Sequence, residues 1–137
     1  MIICTACGEG EQMKTRILIV DDHQPFRDAL KGVINREIDM EVVGEAENGK
    51  TAVALTRELL PDVILMDVKM PVMDGTEATR QILAENPSTK ILALSIYDNS
   101  EFMANMMRAG ALGYILKGCD SDELSGAIRR AAGSQRA

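Results

Sequence analysis

The segment VILMD at residues 63–67 decides the fold, because four apolar residues lead directly to the acid Asp67. A short, wholly apolar run is typical of a central strand in a parallel sheet, buried on both faces. Three further apolar runs also end on polar residues. They are RILIV at 16–20 before Asp21 and Asp22, KILAL at 90–94 before Ser95, and GYIL at 113–116 before Lys117. A weaker run, EVVGEA at 41–46, is predicted to be a strand close to the sheet edge.

Apolar residues at helical spacing fill the intervals between these runs. The first helix has Pro25 in its first turn, and helices are also predicted over 50–60 and 76–85. The apolar residues at helical spacing in the first, fourth and last helices are Phe26, Ala29, Leu30, Val33 and Ile34; Met103, Met106 and Met107; and Leu124, Ala127, Ile128 and Ala131. The three methionines are predicted to be core or half-buried packing. Asp120 and Glu123 are spaced as a capping box before the last helix. The alternation predicts an α/β fold, a doubly wound (βα)₅ unit with a five-stranded parallel sheet and right-handed crossovers.

Composition excludes several classes of protein. The chain has 137 residues, of which 46% are hydrophobic and 26% charged, as in globular domains. A formal net charge of −6 argues against direct nucleic-acid binding by this segment, because phosphate contacts need clustered Lys and Arg. No apolar run approaches the roughly 20 residues of a membrane span, so no membrane partner and a cytoplasmic location are expected.

The first predicted strand and the last predicted helix mark the limits of one folded domain. Residues 1–13 are predicted to be an unstructured leader or upstream extension, 14–133 one folded domain, and 134–137 a tail or the start of a linker. The leader carries a C-x-x-C pair, Cys4 and Cys7. A zinc site needs four ligands, and neither a second such pair nor a nearby histidine exists, so we prefer an unstructured leader to a metal or redox site.

The polar residues at the strand ends are expected to meet. In open α/β sheets, ligands bind outside the carboxyl ends of the strands, where Asp21, Asp22, Asp67, Ser95 and Lys117 would converge. Two like charges about 4 Å apart repel by about 4 kcal/mol at an effective dielectric near 20. Three carboxylates and one ammonium therefore predict a site for a hard divalent cation, Mg²⁺ or Mn²⁺.

Asp67 is the predicted nucleophile of this site. It ends the most apolar and central strand, and a carboxylate can attack phosphorus to form an acyl phosphate. Lys117 and the metal would neutralise the phosphoryl oxygens, and the Ser95 hydroxyl would donate to them. Asp21 and Asp22 are better placed as metal holders, because adjacent residues cannot both point at one phosphorus atom. Each residue also has a simpler interpretation; Asp21 and Asp22, for example, would suit a helix start.

Four segments together resemble the receiver domains of bacterial two-component response regulators. They are VDDH at 20–23, MDVKMPVMDG at 66–75, LS at 94–95 and GALGYILK at 110–117. The resemblance runs from Lys14 to about Gly133, and DDH, PFRDAL and GALGYILK resemble the NarL/FixJ branch. It implies a CheY-like, flavodoxin-like sheet with strand order 2-1-3-4-5.

The resemblance also implies a role for each site residue. Asp67 matches the phosphoacceptor, Asp22 a direct Mg²⁺ ligand, and Asp21 a residue that acts on the metal through water. The backbone carbonyl of Lys69 matches the third protein ligand, and Lys117 matches the lysine that contacts the phosphoryl group. Ser95 and Tyr114 match the switch pair, in which the hydroxyl moves to the phosphoryl oxygen and the ring turns inward.

Partners are implied in the same way. Receiver domains take the phosphoryl group from a phosphohistidine on a sensor histidine kinase or phosphotransfer protein, and slowly hydrolyse it. The implied protein is therefore a regulator and not a metabolic enzyme. NarL/FixJ receivers usually precede a helix-turn-helix DNA-binding domain, so the expected output is DNA binding through such a domain outside this segment. A phosphorylation-dependent homodimer is also expected.

Other functions remain as alternatives. A stand-alone receiver would act by protein contact, and a pseudo-receiver would signal without phosphorylation, although the complete set of site residues argues against the latter. An enzyme of the haloacid dehalogenase type would carry a second aspartate two residues after Asp67, where this chain has Lys69. A flavodoxin-like nucleotide binder would need a glycine- or Ser/Thr-rich loop after the first strand, where this chain has DDHQ at 21–24.

Overall fold

The computed structural model of the chain describes residues 14–96 and 100–133. Five strands alternate there with five helices. The strands are β1 (Thr15–Val20), β2 (Met40–Ala46), β3 (Val63–Asp67), β4 (Lys90–Ser95) and β5 (Gly113–Leu116). The helices are α1 (Gln24–Asn35), α2 (Gly49–Leu59), α3 (Gly75–Glu85), α4 (Ser100–Ala109) and α5 (Ser121–Gly133). The predicted leader at 1–13, with Cys4 and Cys7, and the predicted tail at 134–137 lie outside the described residues.

The strands form one parallel sheet in the order β2-β1-β3-β4-β5. This confirms the expected 2-1-3-4-5 arrangement, with β3 in the centre and β2 at an edge. Val20 of β1 is opposite Met66 of β3, so the residues that follow them meet at the same edge of the sheet. From β1 the chain continues to β2 on one side of the sheet, and from β2 it returns to β3 on the other side of β1. Ligands bind at the carboxyl ends of the two strands between which this change of direction occurs, here β1 and β3.

Apolar side chains cover the sheet on both faces. One cluster joins Val20, Ile64 and Met66 to helices α2, α3 and α4, and the other joins Ile19 and Leu65 to α1 and α5. All five residues of β3 are buried, as the uninterrupted apolar run predicted. Within residues 14–96 and 100–133, none of the helices combines the length and the hydropathy that a membrane span requires.

Side-chain caps fix where several helices begin. The Asp74 carboxylate accepts a hydrogen bond from the Glu77 N–H (2.9 Å) at the start of α3. Before α5, the Asp120 carboxylate accepts from the Glu123 N–H (2.8 Å), and the Glu123 carboxylate accepts from the Asp120 N–H (3.2 Å). These reciprocal bonds form the predicted capping box.

Two residues of the predicted apolar helix faces are exposed in the structure. Ala29 is exposed on α1, and the Met107 side chain is 45% exposed on α4. Leu30 and Ile34 on α1, and Met103 on α4, make the buried contacts instead. The apolar arc in the sequence is wider than the surface that the sheet covers, and a single exposed alanine or methionine costs little.

Candidate metal centre

Three carboxylates lie together at the carboxyl end of the sheet. Asp21 and Asp22 follow β1, and Asp67 ends β3, the next strand in the sheet. One oxygen from each lies within 4.8 Å of the others. Asp21 and Asp67 are buried and Asp22 is exposed, so the cluster has a closed floor and an open side. The predicted gathering of carboxylates is therefore present.

Hydrogen bonds and an ion pair hold Asp21 in place. Its backbone N–H donates to the Ala46 carbonyl (3.0 Å), and its Oδ1 accepts from the His23 N–H (2.9 Å). Its Oδ2 is fully buried and lies 2.6 Å from the ammonium of Lys117. A buried carboxylate with so many partners has a fixed orientation, which a metal ligand or a ligand of metal-bound water requires.

Lys117 places one positive charge between two carboxylates. Its Nζ is 2.6 Å from Asp21 Oδ2 and 3.5 Å from Asp67 Oδ1. The face of the Phe26 ring lies against the same ammonium, with its centroid 4.9 Å away. The Lys117 backbone N–H donates to the Ser95 carbonyl (2.8 Å), which ties the end of β5 to the end of β4. One ammonium does not balance three carboxylates, so the cluster keeps an anionic character.

The electrostatics of the cluster are visible at Asp67. Burial, followed by repulsion from Asp21, raises the pKa of the Asp67 carboxyl from 3.8 to about 6, against the opposing effect of Lys117. The remaining repulsion comes from Asp22. Asp67 is thus ionised at neutral pH but at an energetic cost, and a bound divalent cation would remove that cost.

The loop after Asp67 is packed too tightly for a side chain at its end. A Cβ on Gly75 would overlap the carbonyl oxygen of Asp67, and the Gly75 N–H donates to the Val68 carbonyl (2.8 Å). Within the loop, Val72 has a φ of 70°, a left-handed conformation that is unusual for a β-branched residue. The close approach of Gly75 to Asp67 and the hydrogen bond to Val68 therefore restrict the conformation of the loop that follows Asp67.

Lys69 and Ser95 lie near the cluster in different ways. The Lys69 ammonium is 5.3 Å from the centroid of the Phe102 ring on α4, so its side chain is engaged outside the carboxylates. The predicted contribution of Lys69, a backbone carbonyl, does not depend on that side chain. Ser95 is buried at the end of β4, one strand from Asp67.

Tyr114 lies on β5, two strands away from β3, the strand that ends on Asp67. It is opposite Ala93 on β4, whereas Ser95 is opposite Leu116. The Tyr114 side chain is 47% exposed on the edge strand β5. The structure therefore has this ring on the surface, and its predicted inward movement stays a prediction.

Two residues of α1 contact the site although no sequence pattern predicted that they would. Phe26 was predicted only as core, yet its ring lies against Lys117. The guanidinium of Arg27 donates from Nη1 to the Asp21 carbonyl (2.5 Å) and from Nε to Glu45 Oε1 (2.8 Å). A lone arginine beside an apolar helix face carries no sequence signal for such contacts, since its partners come from β2 and from the loop after β1.

The donor set suits a hard divalent cation. Carboxylate oxygens with an open, exposed side are the ligands that Mg²⁺ uses when it retains several waters. Neither thiols nor imidazoles belong to the carboxylate cluster that the described residues form. The acidic cluster is therefore compatible with metal binding.

Comparison with known proteins gives the same picture. Residues 17–129 match the family model described as the response regulator receiver domain. The chain is 43% identical over 116 residues to the transcriptional regulatory protein DegU of Brevibacillus brevis, covering 85% of this chain and 49% of that protein. It is also 43% identical over 117 residues to the transcriptional regulatory protein LiaR of Bacillus subtilis, covering 85% and 56%. The chain spans about half the length of the curated relatives it matches.

A solved structure extends the likeness to three dimensions. The signal receiver domain of the putative response regulator NarL from Mycobacterium tuberculosis superposes with a TM-score of 0.85 at 31% identity, covering 90% of this chain and 99% of that one. The family model, the relatives and the shared architecture agree with the four motifs at the strand ends. This chain belongs to the response regulator receiver domain family of two-component systems.

Proposed function

We propose that this chain is a phosphoacceptor switch in which Asp67 receives a phosphoryl group. The observation that carries the proposal is the cluster of Asp21, Asp22 and Asp67, with carboxylate oxygens within 4.8 Å, and with Lys117 between Asp21 and Asp67. A folding requirement does not explain a buried carboxylate pair beside a third carboxylate, because their mutual repulsion destabilises the fold. A site that binds a cation and then a phosphoryl group explains it.

The phosphotransfer step uses Asp67 in its ionised form. A carboxylate oxygen of Asp67 attacks phosphorus, and the phosphorus–nitrogen bond of a donor phosphohistidine breaks. The bonding pair stays on the imidazole nitrogen, which is protonated, and Asp67 becomes an acyl phosphate. With a pKa of about 6, Asp67 is mostly a carboxylate at neutral pH and therefore nucleophilic. Lys117, 3.5 Å from Asp67 Oδ1, is within reach of the incoming phosphoryl oxygens.

Mg²⁺ is the proposed cofactor, and Mn²⁺ would suit the same ligands. Asp22, Asp67 and the backbone carbonyl of Lys69 would bind it directly, and Asp21 would act through water. When bound, the cation offsets the charge of the carboxylates and of the phosphoryl oxygens. Asp21 is fixed by its partners while Asp22 lies on the open side, which supports this division of roles.

The output of the site is proposed to pass through Ser95 and Tyr114. The Ser95 hydroxyl would donate to a phosphoryl oxygen on Asp67, and the Tyr114 ring would turn from the surface toward the space that the hydroxyl leaves. Phosphorylation would thereby bias an equilibrium between two existing conformations. The exposed position of Tyr114 is the starting state that such a movement requires.

The wider role is proposed from the relatives. The donor would be a sensor histidine kinase or phosphotransfer protein, in the cytoplasm. DegU and LiaR are named as transcriptional regulators, and the match to this chain covers only 49% and 56% of their lengths, so a DNA-binding output domain is proposed for the whole protein. A phosphorylation-dependent homodimer fits that role. The domain would be regulatory and not a metabolic enzyme, its own chemistry limited to phosphotransfer and slow hydrolysis.

Intact mass measurement tests the proposal. The protein is incubated with acetyl phosphate and MgCl₂ beside Asp67→Asn and beside Asp122→Asn, which changes an exposed aspartate in the first turn of α5. We expect a hydroxylamine-sensitive gain of one phosphoryl group in the parent and in Asp122→Asn, and none in Asp67→Asn. No gain in the parent would favour the pseudo-receiver, and an equal gain in Asp67→Asn would remove Asp67 from the role.

A further inference from the structure

A nearly buried cation lies directly behind the carboxylate cluster. The Arg27 side chain is 11% exposed, and its Nη1 donates to the backbone carbonyl of Asp21 at 2.5 Å. The backbone N–H of Asp21 donates to the Ala46 carbonyl. Both polar groups of the Asp21 backbone are therefore hydrogen-bonded, the N–H to Ala46 of β2 and the carbonyl to Arg27 of α1. The peptide bond that links Asp21 to Asp22 starts at this fixed carbonyl.

Glu45 holds the other end of the guanidinium. Its Oε1 accepts from Arg27 Nε at 2.8 Å, and its Oε2 accepts from Lys31 Nζ at 2.5 Å. Both cations lower the pKa of the Glu45 carboxyl, with Lys31 the larger influence. Glu45 is on β2 opposite Ile19 of β1, so the carboxylate is anchored in the sheet itself. The arginine therefore bridges an edge strand and the first residue of the acidic pair.

We infer that Arg27, braced by Glu45, is a positioning residue for the metal site; the inference rests on the proposed function. A positive charge beside an acidic cluster opposes the binding of a cation, so electrostatics alone would make this arginine a disadvantage. Its benefit is geometric. By fixing the Asp21 carbonyl, it sets the direction in which the chain carries the carboxylates of Asp21 and Asp22 into the site.

The geometry also explains why the residue is an arginine. A planar guanidinium presents separate N–H donors in a rigid fork, so Nη1 and Nε reach Asp21 and Glu45 together. A lysine ammonium keeps the charge but lacks this fork. Replacement of Arg27 by lysine therefore removes the bridge and leaves the charge in place, which separates positioning from electrostatics.

Magnesium titration of four proteins tests the inference. The dissociation constant for MgCl₂ is measured from backbone amide chemical shifts in the parent, Arg27→Lys, Glu45→Ala and Lys31→Gln. Loss of a residue that hydrogen-bonds to a metal ligand typically weakens metal binding roughly 10- to 100-fold. Arg27→Lys loses one such hydrogen bond, so we expect its dissociation constant for Mg²⁺ to rise about tenfold. Glu45→Ala loses the brace but keeps the arginine, so a smaller loss is expected. Lys31→Gln is the matched control, because Lys31 contacts Glu45 and not Asp21.

A second measurement separates positioning from general damage. Phosphorylation of Arg27→Lys by acetyl phosphate should be slow at low MgCl₂ and approach the parent rate at saturating MgCl₂. An unchanged dissociation constant in Arg27→Lys would overturn the inference, as would an equal loss in Lys31→Gln. If Arg27→Lys does not fold, Glu45→Ala provides the test, and a parental dissociation constant for Mg²⁺ in Glu45→Ala would likewise overturn the inference. Failure of the parent to bind Mg²⁺ would instead reject the proposed function.

Discussion

Replacing Asp67 with asparagine should stabilise the metal-free protein at neutral pH. Folding raises the pKa of this carboxyl from 3.8 to about 6, chiefly through burial and the nearby charge of Asp21. A difference of this size corresponds to at most about 3 kcal/mol against the ionised native state. Water at the open side of the cluster weakens the repulsion, so we expect a gain of about 1–2 kcal/mol in Asp67→Asn.

The gain should depend on pH in one direction. Because the folded state holds the Asp67 proton more tightly than the unfolded state, the stability contributed by that proton is fully present below pH 3.8 and is lost as the pH rises through about 6. Asparagine has no such proton to lose. The difference between Asp67→Asn and the parent should therefore be near zero at the low end of this range, grow across it, and level off above it.

Urea unfolding followed by circular dichroism measures these free energies. The parent, Asp67→Asn and Glu58→Gln, a control for loss of an exposed carboxylate on α2, are compared in EDTA and in MgCl₂. Added Mg²⁺ should stabilise the parent more than Asp67→Asn and narrow the gap, since only the parent keeps the full ligand set. A parent as stable as Asp67→Asn at neutral pH in EDTA, or a gap that is the same at all pH values, would refute the reasoning.

Two other changes test the surroundings of Asp67. Gly75→Ala should lower the free energy of unfolding, measured in urea, by more than about 2 kcal/mol, because its Cβ would overlap the Asp67 carbonyl oxygen. Gly32→Ala is the control: Gly32 has open space around it, so the same measurement should find this variant as stable as the parent or more stable. Lys117→Gln should destabilise the metal-free protein by about 2 kcal/mol, because it leaves the fully buried Asp21 carboxylate without its ion pair. In the same variant, acetyl phosphate should no longer add a phosphoryl group; parental stability or parental phosphorylation would contradict these expectations.

The sequence was sufficient to predict the sheet and the residues at its carboxyl end. Apolar runs that stop on acids, a hydroxyl and an amine are local features, and a parallel sheet brings their ends together whatever the details of packing. Asp21, Asp67 and Lys117 could therefore be placed near one another before any contact was known. The capping box at Asp120 and Glu123 is local in the same sense.

Contacts between distant segments could not be predicted. Arg27 meets Glu45 across 18 positions of sequence, and the choice depends on which helix covers which face and on a rotamer. The width of a covered helix face is likewise a tertiary property, so the sequence does not separate the buried Met103 and Met106 from Met107, which is 45% exposed. Val72 shows the same limit for the backbone, because nothing in PVMDG at 71–75 requires a left-handed valine.

The chemical identity of the phosphorylated residue is the most direct test of the central claim. Borohydride reduces an acyl phosphate of aspartate to homoserine, and trypsin should release residues 58–69, which contain both Asp62 and Asp67. After treatment with acetyl phosphate and MgCl₂, tandem mass spectrometry should find homoserine at position 67 and unchanged aspartate at position 62. Homoserine at another position, or aspartate retained at both, would contradict the claim that Asp67 is the phosphoacceptor.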